Sequence, residues 1–390
     1  MSTVYQNALI TISATSSKSG TEGLFRRCPE YEISFLSKDD ELFTYIFSGE
    51  REHFDGHLCT GSLAQVYPLL NRAWAFQERL LSPRVLHFGR SELIFECVEP
   101  PRCECADIRN TFHWFFLVEG SKRQLAFKDP HTQTPAELWR HMIRQHSHLQ
   151  LTFPGDKLVT LAGLAKRLAG PDDQYLAGLW RNSLVGDLHW RITYPQDVRS
   201  RPEWRAPSWS WASVEGTITH WGPYLYFRPN RIDDPAISAQ LIDYQIVPKT
   251  TDEYGELQSG KIQLLASCAS VVWEQRTGQR GYVESYVVFP DGQEREFFLD
   301  ALVGGATTHG PQVVHVETVC VLLYHNSEFR TALVLRRSES DQDVFERIGL
   351  LSEELRDQCG YEVGETIGVL ETLEDTWSLY PREKRIVTIV

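Results

Sequence analysis

Beyond about residue 217 the chain stops reading as a mixture and reads as strand. Residues 261–273, 282–289, 313–324, 331–337 and 386–390 are runs rich in β-branched side chains, separated by Gly, Asp and Asn turns, which is the pattern of short paired strands. Such strands are stable only when they pair with one another over an apolar face, so they predict a β-rich domain over 217–390. The residues before it follow a second rule. Residues 7–16 alternate and read as a strand or a buried helix end. Thr134-Pro135-Ala-Glu137 is a capping box with proline at the first helical position, which starts a helix that should run to His146. A second helix is expected after Asp156, with Leu158, Leu161, Leu164, Ala165 and Leu168 as its buried stripe and Gly170-Pro171 as its stop. Helices and strands that keep to separate stretches give an α+β fold: a mixed part over 1–216, with the β-rich part packed on it.

Within the mixed part, one stretch is unusual. Arg72-Ala-Trp-Ala-Phe-Gln-Glu-Arg-Leu-Leu-Ser-Pro-Arg-Val-Leu-His-Phe-Gly-Arg90 is apolar around most of its helical girth, yet it carries Gln77-Glu78-Arg79. A helix that is apolar nearly all round is buried. Its polar side chains then need partners, since an unsatisfied buried group costs about 1–3 kcal/mol. The triplet is therefore either an internal strut or part of a site, and the strut is the expected reading.

The formal charge of −13 argues against nucleic acid or an anionic membrane surface as a general partner. No apolar run approaches the roughly 20 residues of a membrane span, and the N-terminus shows no basic segment followed by an apolar core, so no signal peptide is expected. The eight cysteines then read as reduced thiols of a cytoplasmic protein. Cys97, Cys103 and Cys105 with His113 do not match the paired spacing of zinc sites, and His141, His146 and His148 read as a solvated helix end, so no metal is expected.

Reaction classes with recognisable motifs are missing. There is no G-x-S-x-G, no H-E-x-x-H, and none of the pairs Asp39-Asp40, Asp172-Asp173 and Asp233-Asp234 continues as D-D-x-x-D. Gly255-Glu-Leu-Gln-Ser-Gly260-Lys261-Ile262 matches G-x-x-x-x-G-K, but Ile262 stands where a magnesium-binding hydroxyl belongs and a strand pattern follows. A phosphate loop must open a helix, so this is read as a hairpin turn with no nucleotide cofactor.

The stretch around the triplet, Arg72-x-Trp74, Gln77-Glu78-Arg79-Leu-Leu-Ser-Pro-Arg84 and Leu86-His87-Phe88, resembles the most recognisable segment of the fungal HET (heterokaryon incompatibility) domain family. Val4-Tyr5-x-Asn7-Ala8, Ala14-Thr15-Ser16 and Gly23-Leu-Phe-Arg26 resemble the part before it. Leu151-Thr-Phe-Pro-x-Asp156-Lys157-Leu158, Tyr175-Leu-Ala-Gly-Leu-Trp180 and Ala206-Pro-Ser-Trp-Ser-Trp-Ala-Ser213 resemble the part beyond. In order they cover about residues 4–216. The family's opening segments, of the types Y-x-A-L-S-Y-x-W-G and L-W-I-D-A-x-C-I-x-Q, have no counterpart, and Met1 falls just before the family's middle. A shortened member is therefore expected, lacking the first strands of the family's TIR-like fold.

The resemblance implies two activities. One is heterokaryon incompatibility and programmed cell death, for which a shortened member is a poor candidate. The other, implied by shortened HET-like proteins of fungal secondary-metabolite pathways, is a cofactor-independent cyclase: an intramolecular Diels–Alder reaction on an apolar terpenoid polyene, of the kind that forms a norbornene in a sordarin-type skeleton. A non-catalytic binding module is the third reading. Eleven Trp, 15 Tyr and 19 Phe, with Trp204, Trp209, Trp211 and Trp221 close together, suit either a packed core or an aromatic pocket for a hydrophobic small molecule. The expected site is a cavity where Ser208-Trp209-Ser210-Trp211 meets residues 84–88. If that first segment is a strand, its two indoles share the cavity face. Trp209 and Trp211 would line it, and an indole N–H, His87 or Arg84 would donate to a substrate carbonyl. The core-filling reading of both indoles stands beside it.

Overall fold

The strand-like runs of the C-terminal half pair with one another into a closed ring. The computed structural model describes residues 2–25, 30–36, 42–48, 67–90, 92–99, 101–104, 122, 125–126, 134–220, 236–277, 283–302, 312–326, 329–339, 341, 343–354, 380 and 383–390. Two compact units divide the chain. The first takes Met1–Leu138, Leu149–Phe153 and Thr160–Leu168, and the second Trp139–His148, Pro154–Val159 and Ala169–Val390.

In the first unit, α1 (Ser2–Gln6) precedes β1 (Thr11–Ser13), the hairpin β2 (Glu30–Leu36) and β3 (Leu42–Ser48), and α2 (Ala73–Leu81). Then come β4 (Val85–Phe88), β5 (Leu93–Glu96) and β6 (Arg102–Cys103), the first residues of α3 (Pro135–His146), which from Trp139 on belongs to the second unit, and α4 (Ala162–Leu168). A four-stranded sheet runs in the order β1-β4-β5-β6, with β1 parallel to β4 and the other pairs antiparallel. Pro83 explains why α2 stops where it does. A residue before proline is pushed to extended backbone, and Ser82 sits at φ −70, ψ 127. Its N–H bonds the Glu78 carbonyl at 3.1 Å, and its hydroxyl does so at 2.7 Å.

The capping box of α3 forms as expected: the Glu137 N–H donates to Thr134 Oγ1 at 3.3 Å, and the Thr134 N–H to Glu137 Oε2 at 2.7 Å. The helix expected after Asp156 is instead two turns of 3-10 helix, Pro154–Lys157 and Val159–Leu161, followed by α4. Its apolar stripe, Leu158, Leu161, Leu164, Ala165 and Leu168, is nevertheless buried throughout.

The second unit adds β7 (Tyr175–Leu176), β8 (Leu179–Trp180), α5 (Leu184–Asp187), β9 (Trp190–Ile192) and β10 (Ile218–His220). The large sheet follows: β11 (Gln240–Pro248), β12 (Leu257–Thr277), β13 (Val283–Val288), β14 (Glu294–Leu299), β15 (Gln312–His325), β16 (Phe329–Arg337), β17 (Phe345–Glu354) and β18 (Lys384–Ile389). The order β12-β13-β14-β17-β16-β15 returns to β12, and closing a sheet on itself removes its exposed edges. The early part of β12 lies outside that ring and carries β11 on one side and β18 on the other. Ile262, Leu264, Trp273, Val287, Val319, Val321, Leu333, Leu335 and Leu350 are completely buried. Each such aliphatic side chain contributes about 1.5–3 kcal/mol of burial.

Helices and a strand-rich second part make the α+β class. The division does not fall at residue 216, however. Residues 169–216 belong with the strand-rich unit, because their backbone is tied to it. Arg347 donates from Nη1 to the Leu188 carbonyl at 2.7 Å and from Nη2 to that of Trp190 at 2.5 Å. The Ser208 N–H bonds the Val390 oxygen at 3.0 Å.

Candidate functional site

In the first unit, the polar triplet is spent internally. Gln77 Oε1 accepts from the Gly163 N–H at 2.5 Å. A Cβ on Gly163 would lie 2.7 Å from that same oxygen, so glycine is what lets α4 come this near to α2. Glu78 is half-buried and bonds Tyr5, and its carboxyl is raised above the usual range, chiefly by burial. Arg79 reaches across to Glu96 on β5 at 2.6 Å. Glu96 also meets His87 Nε2 at 2.8 Å and Lys122 Nζ at 3.1 Å, all four side chains being almost fully buried. Burial alone would raise the Glu96 carboxyl, but the Arg79 and Lys122 cations and the His87 bond hold it well below the carboxylate range.

His87 is therefore not a donor to substrate. Its Nε2–H is given to Glu96, and Nδ1 accepts from the Thr15 hydroxyl at 2.9 Å. Burial lowers its pKa and keeps the ring neutral. Arg84 is exposed and donates to the Leu9 carbonyl at 3.3 Å.

The second unit holds Trp209 and Trp211, and here the sequence expectation is overturned. Residues 208–211 form a turn leading into a short 3-10 helix, Trp211–Ser213, rather than a strand. Ser210 caps that helix by accepting from the Ala212 N–H and donating to the Ala177 carbonyl at 2.6 Å. Both indoles are fully buried. Trp211 Nε1 donates to the Gly178 carbonyl at 3.0 Å, as Trp139 Nε1 does at 2.8 Å. Gly178 has φ +95 and lies so close to Trp211 that a Cβ would sit 2.7 Å from Nε1. The Trp209 carbonyl accepts from Trp190 Nε1 at 2.9 Å. These indoles fill the core. His146, expected on a solvated helix end, is also fully buried, with burial and the nearby Lys157 pushing its pKa down to about 3.

The same Ala206–Ser213 motif does border a cavity, through its serines. A space of about 670 Å³ in the second unit is lined by Ser208 and Ser213, with Arg201, Trp204, Lys261 and Arg336 among the other walls. Neither buried indole takes part. Gly260 lets the loop approach β12, because a Cβ there would lie 2.5 Å from Pro207 Cγ. Gln245 of β11 and Gln258 and Ser259 of β12 add neutral donors, while Trp204 is 54% exposed at the rim. Of the residues expected from sequence, Arg84 and His87 thus lie in one unit and Trp209 and Trp211 in the other. Lys261 carried a signal only as the lysine of the false phosphate loop. Gly255 indeed lies in the turn between β11 and β12, and Lys261 lies in the strand.

Among the described residues no group of three or more His, Cys, Asp or Glu is placed to hold a metal. Cys97 is half-buried, and Cys103, Cys268 and Cys320 are buried and outside any disulfide among the described residues. Cys28, Cys59, Cys105, Cys359, His113, Arg26 and Trp221 lie outside the described residues. No described helix is long and apolar enough to cross a membrane. Neither a family model, nor a curated protein, nor a solved structure matches the chain.

Proposed function

We propose that this chain is a HET-related protein that acts as a cofactor-independent cyclase, promoting an intramolecular Diels–Alder reaction of an apolar terpenoid polyene in fungal secondary metabolism. The observation that carries the reading is the cavity beside Ser208 and Ser213, which joins an apolar wall to several hydrogen-bond donors. Its volume of about 670 Å³ falls within the range of about 300–1,000 Å³ typical of small-molecule sites. Trp204, Pro202, Ala206 and Val390 supply the apolar surface against which a flexible polyene folds into a reactive conformer. A hydrogen bond from a cavity donor to a carbonyl on the dienophile favours the polarised transition state. The reaction asks for no proton transfer, nucleophile or redox step, so the neutral, internally bonded His87 has no part in it.

The test is incubation of the purified protein with an aldehyde-bearing triene and no added cofactor. Cyclised product forming faster than in buffer, as one stereoisomer, supports the cyclase. A rate at background ends it. If expression in a fungal host instead arrests growth and depletes dinucleotide, the incompatibility reading takes its place.

A further inference from the structure

We propose that the cavity takes an acid: a hydrophobic molecule whose carboxylate is recognised by the Arg201 guanidinium and the Lys261 ammonium, an inference that rests on reading this cavity as the substrate site. The charges along the walls carry it. Six ionisable side chains line the space: Arg201, Glu203, Arg205, Lys261, Arg336 and Glu346. Two of the cations are spent. Arg205 Nη1 lies 2.6 Å from Glu215, and its remaining donors go to the Ala212, Val214 and Pro154 carbonyls. Arg336 pairs with Glu346 at 2.8 Å and with Glu339 at 3.9 Å.

Arg201 makes no salt bridge among the described residues: the acids whose charges act on it are Asp300 and Glu346, and Glu346 is held by Arg336. Arg201 Nη1 donates to the Ser213 hydroxyl at 2.6 Å and Nη2 to the Arg347 carbonyl at 2.5 Å, both uncharged acceptors. The buried acid nearby, Asp300, is paired with Arg347 at 2.8 Å. Lys261 has no ion pair among the described residues. The Val390 oxygen is held by the N–H and hydroxyl of Ser208, and Glu203 is exposed. A chain of net charge −13 thus leaves two cations on the wall of one cavity that make no salt bridge among the described residues. An anion is the complement they lack.

The apolar half of the cavity excludes a small inorganic ion as the intended occupant, since Trp204, Pro202 and Ala206 would then face nothing. A phosphate monoester carries about −1.5 to −2 charges, more than two cations beside an exposed glutamate match. A carboxylate carries one, and its planar pair of oxygens fits a guanidinium fork. With the charged groups engaged in anchoring, Gln245, Gln258 and Ser259 remain as the neutral donors for a reacting carbonyl.

Titration calorimetry with abietic acid and with methyl abietate, one apolar skeleton with and without the charge, tests this. The acid should bind the parent protein at least tenfold more tightly than the ester. That preference should shrink as salt is raised and fall below about threefold in Lys261→Glu, a change at an exposed strand position that leaves the melting temperature unchanged. Arg201→Lys, which keeps charge but loses the fork, should reduce the preference in part. Equal binding of acid and ester by the parent, a preference that survives Lys261→Glu, or binding of neither ligand overturns the proposal. Acid preference without cyclisation of a triene would sink the cyclase and leave the anion site standing. Cyclisation of a neutral triene without acid preference would do the reverse.

Discussion

The two units treat charge in opposite ways. Around Glu96, three cationic or imidazole groups converge on one carboxylate behind almost fully buried side chains. Around the second unit's cavity, paired and unpaired cations line a space large enough for a ligand. Both are polar clusters near motifs that the sequence singles out, but the second lines a cavity and keeps donors that are not already spent. A buried charge needs its partner to remain folded, whereas a charge left without a partner on a cavity wall is available to something else. Proximity to a distinctive motif therefore does not by itself separate a strut from a site.

Acid is the harshest way to probe the difference. His146, His189 and His220 of the second unit are buried and neutral. Burial is the main cause in each case, taking His146 and His189 down to about 3 and His220 well below its usual value. Since the folded pKa lies below the unfolded one, the unfolded chain takes up protons first. Stability is then complete above about pH 6.5 and lost as pH falls towards 3. Each histidine costs about 1.4 kcal/mol per pH unit, so three together give about 4. Urea unfolding followed from pH 7 to 5 should show this fall. A flat profile would mean that these rings are hydrated or charged in the folded protein.

Removing one partner from the sealed cluster comes next. Glu96→Ala leaves Arg79 and Lys122 buried without their carboxylate and should cost about 3–5 kcal/mol. Arg79→Ala should lower the melting temperature by several degrees, through the same loss from the other side. If Arg79→Ala melts like the parent but loses activity, the strut assignment fails and the cluster is a site. Trp209→Ala should cost about 3–5 kcal/mol by opening a core cavity, and any loss of function should then follow the loss of fold. At the small end, Lys261→Ala and Trp204→Ala should change unfolding free energy by no more than about 0.5 kcal/mol. A larger loss in either would place those side chains in the folding core.

Much of this fold was legible because local chemistry and tertiary structure agree. The capping box before α3, the proline stop after α2, and the β-branched runs all act within a few residues of where they are read. The buried role of Gln77 and Arg79 was also legible, since an all-round apolar helix forces its polar members to find partners. The division of the chain was not, because the contacts that attach residues 169–216 to the strands come from Arg347 and Val390, far along the sequence. The indole face failed for a related reason. Alternation of Trp and Ser assigns faces only in a strand, and Ser210 turned the segment into a capped 3-10 helix. Arg201 carries no motif, and Lys261 stands only in a false phosphate-loop pattern. What distinguishes them is that they make no salt bridge among the described residues while Asp300 and Glu346 are held by other arginines, which only the folded arrangement reveals.

The most direct measurement is the cyclisation rate of the purified double variant Trp204→Ala/Lys261→Glu beside that of the parent, on a triene carrying both an aldehyde and a carboxylate, with circular dichroism and melting recorded for each. The expected result is a loss of at least tenfold in rate with an unchanged spectrum and melting temperature. A parent-like rate in the folded double variant would contradict the placement of function in this cavity.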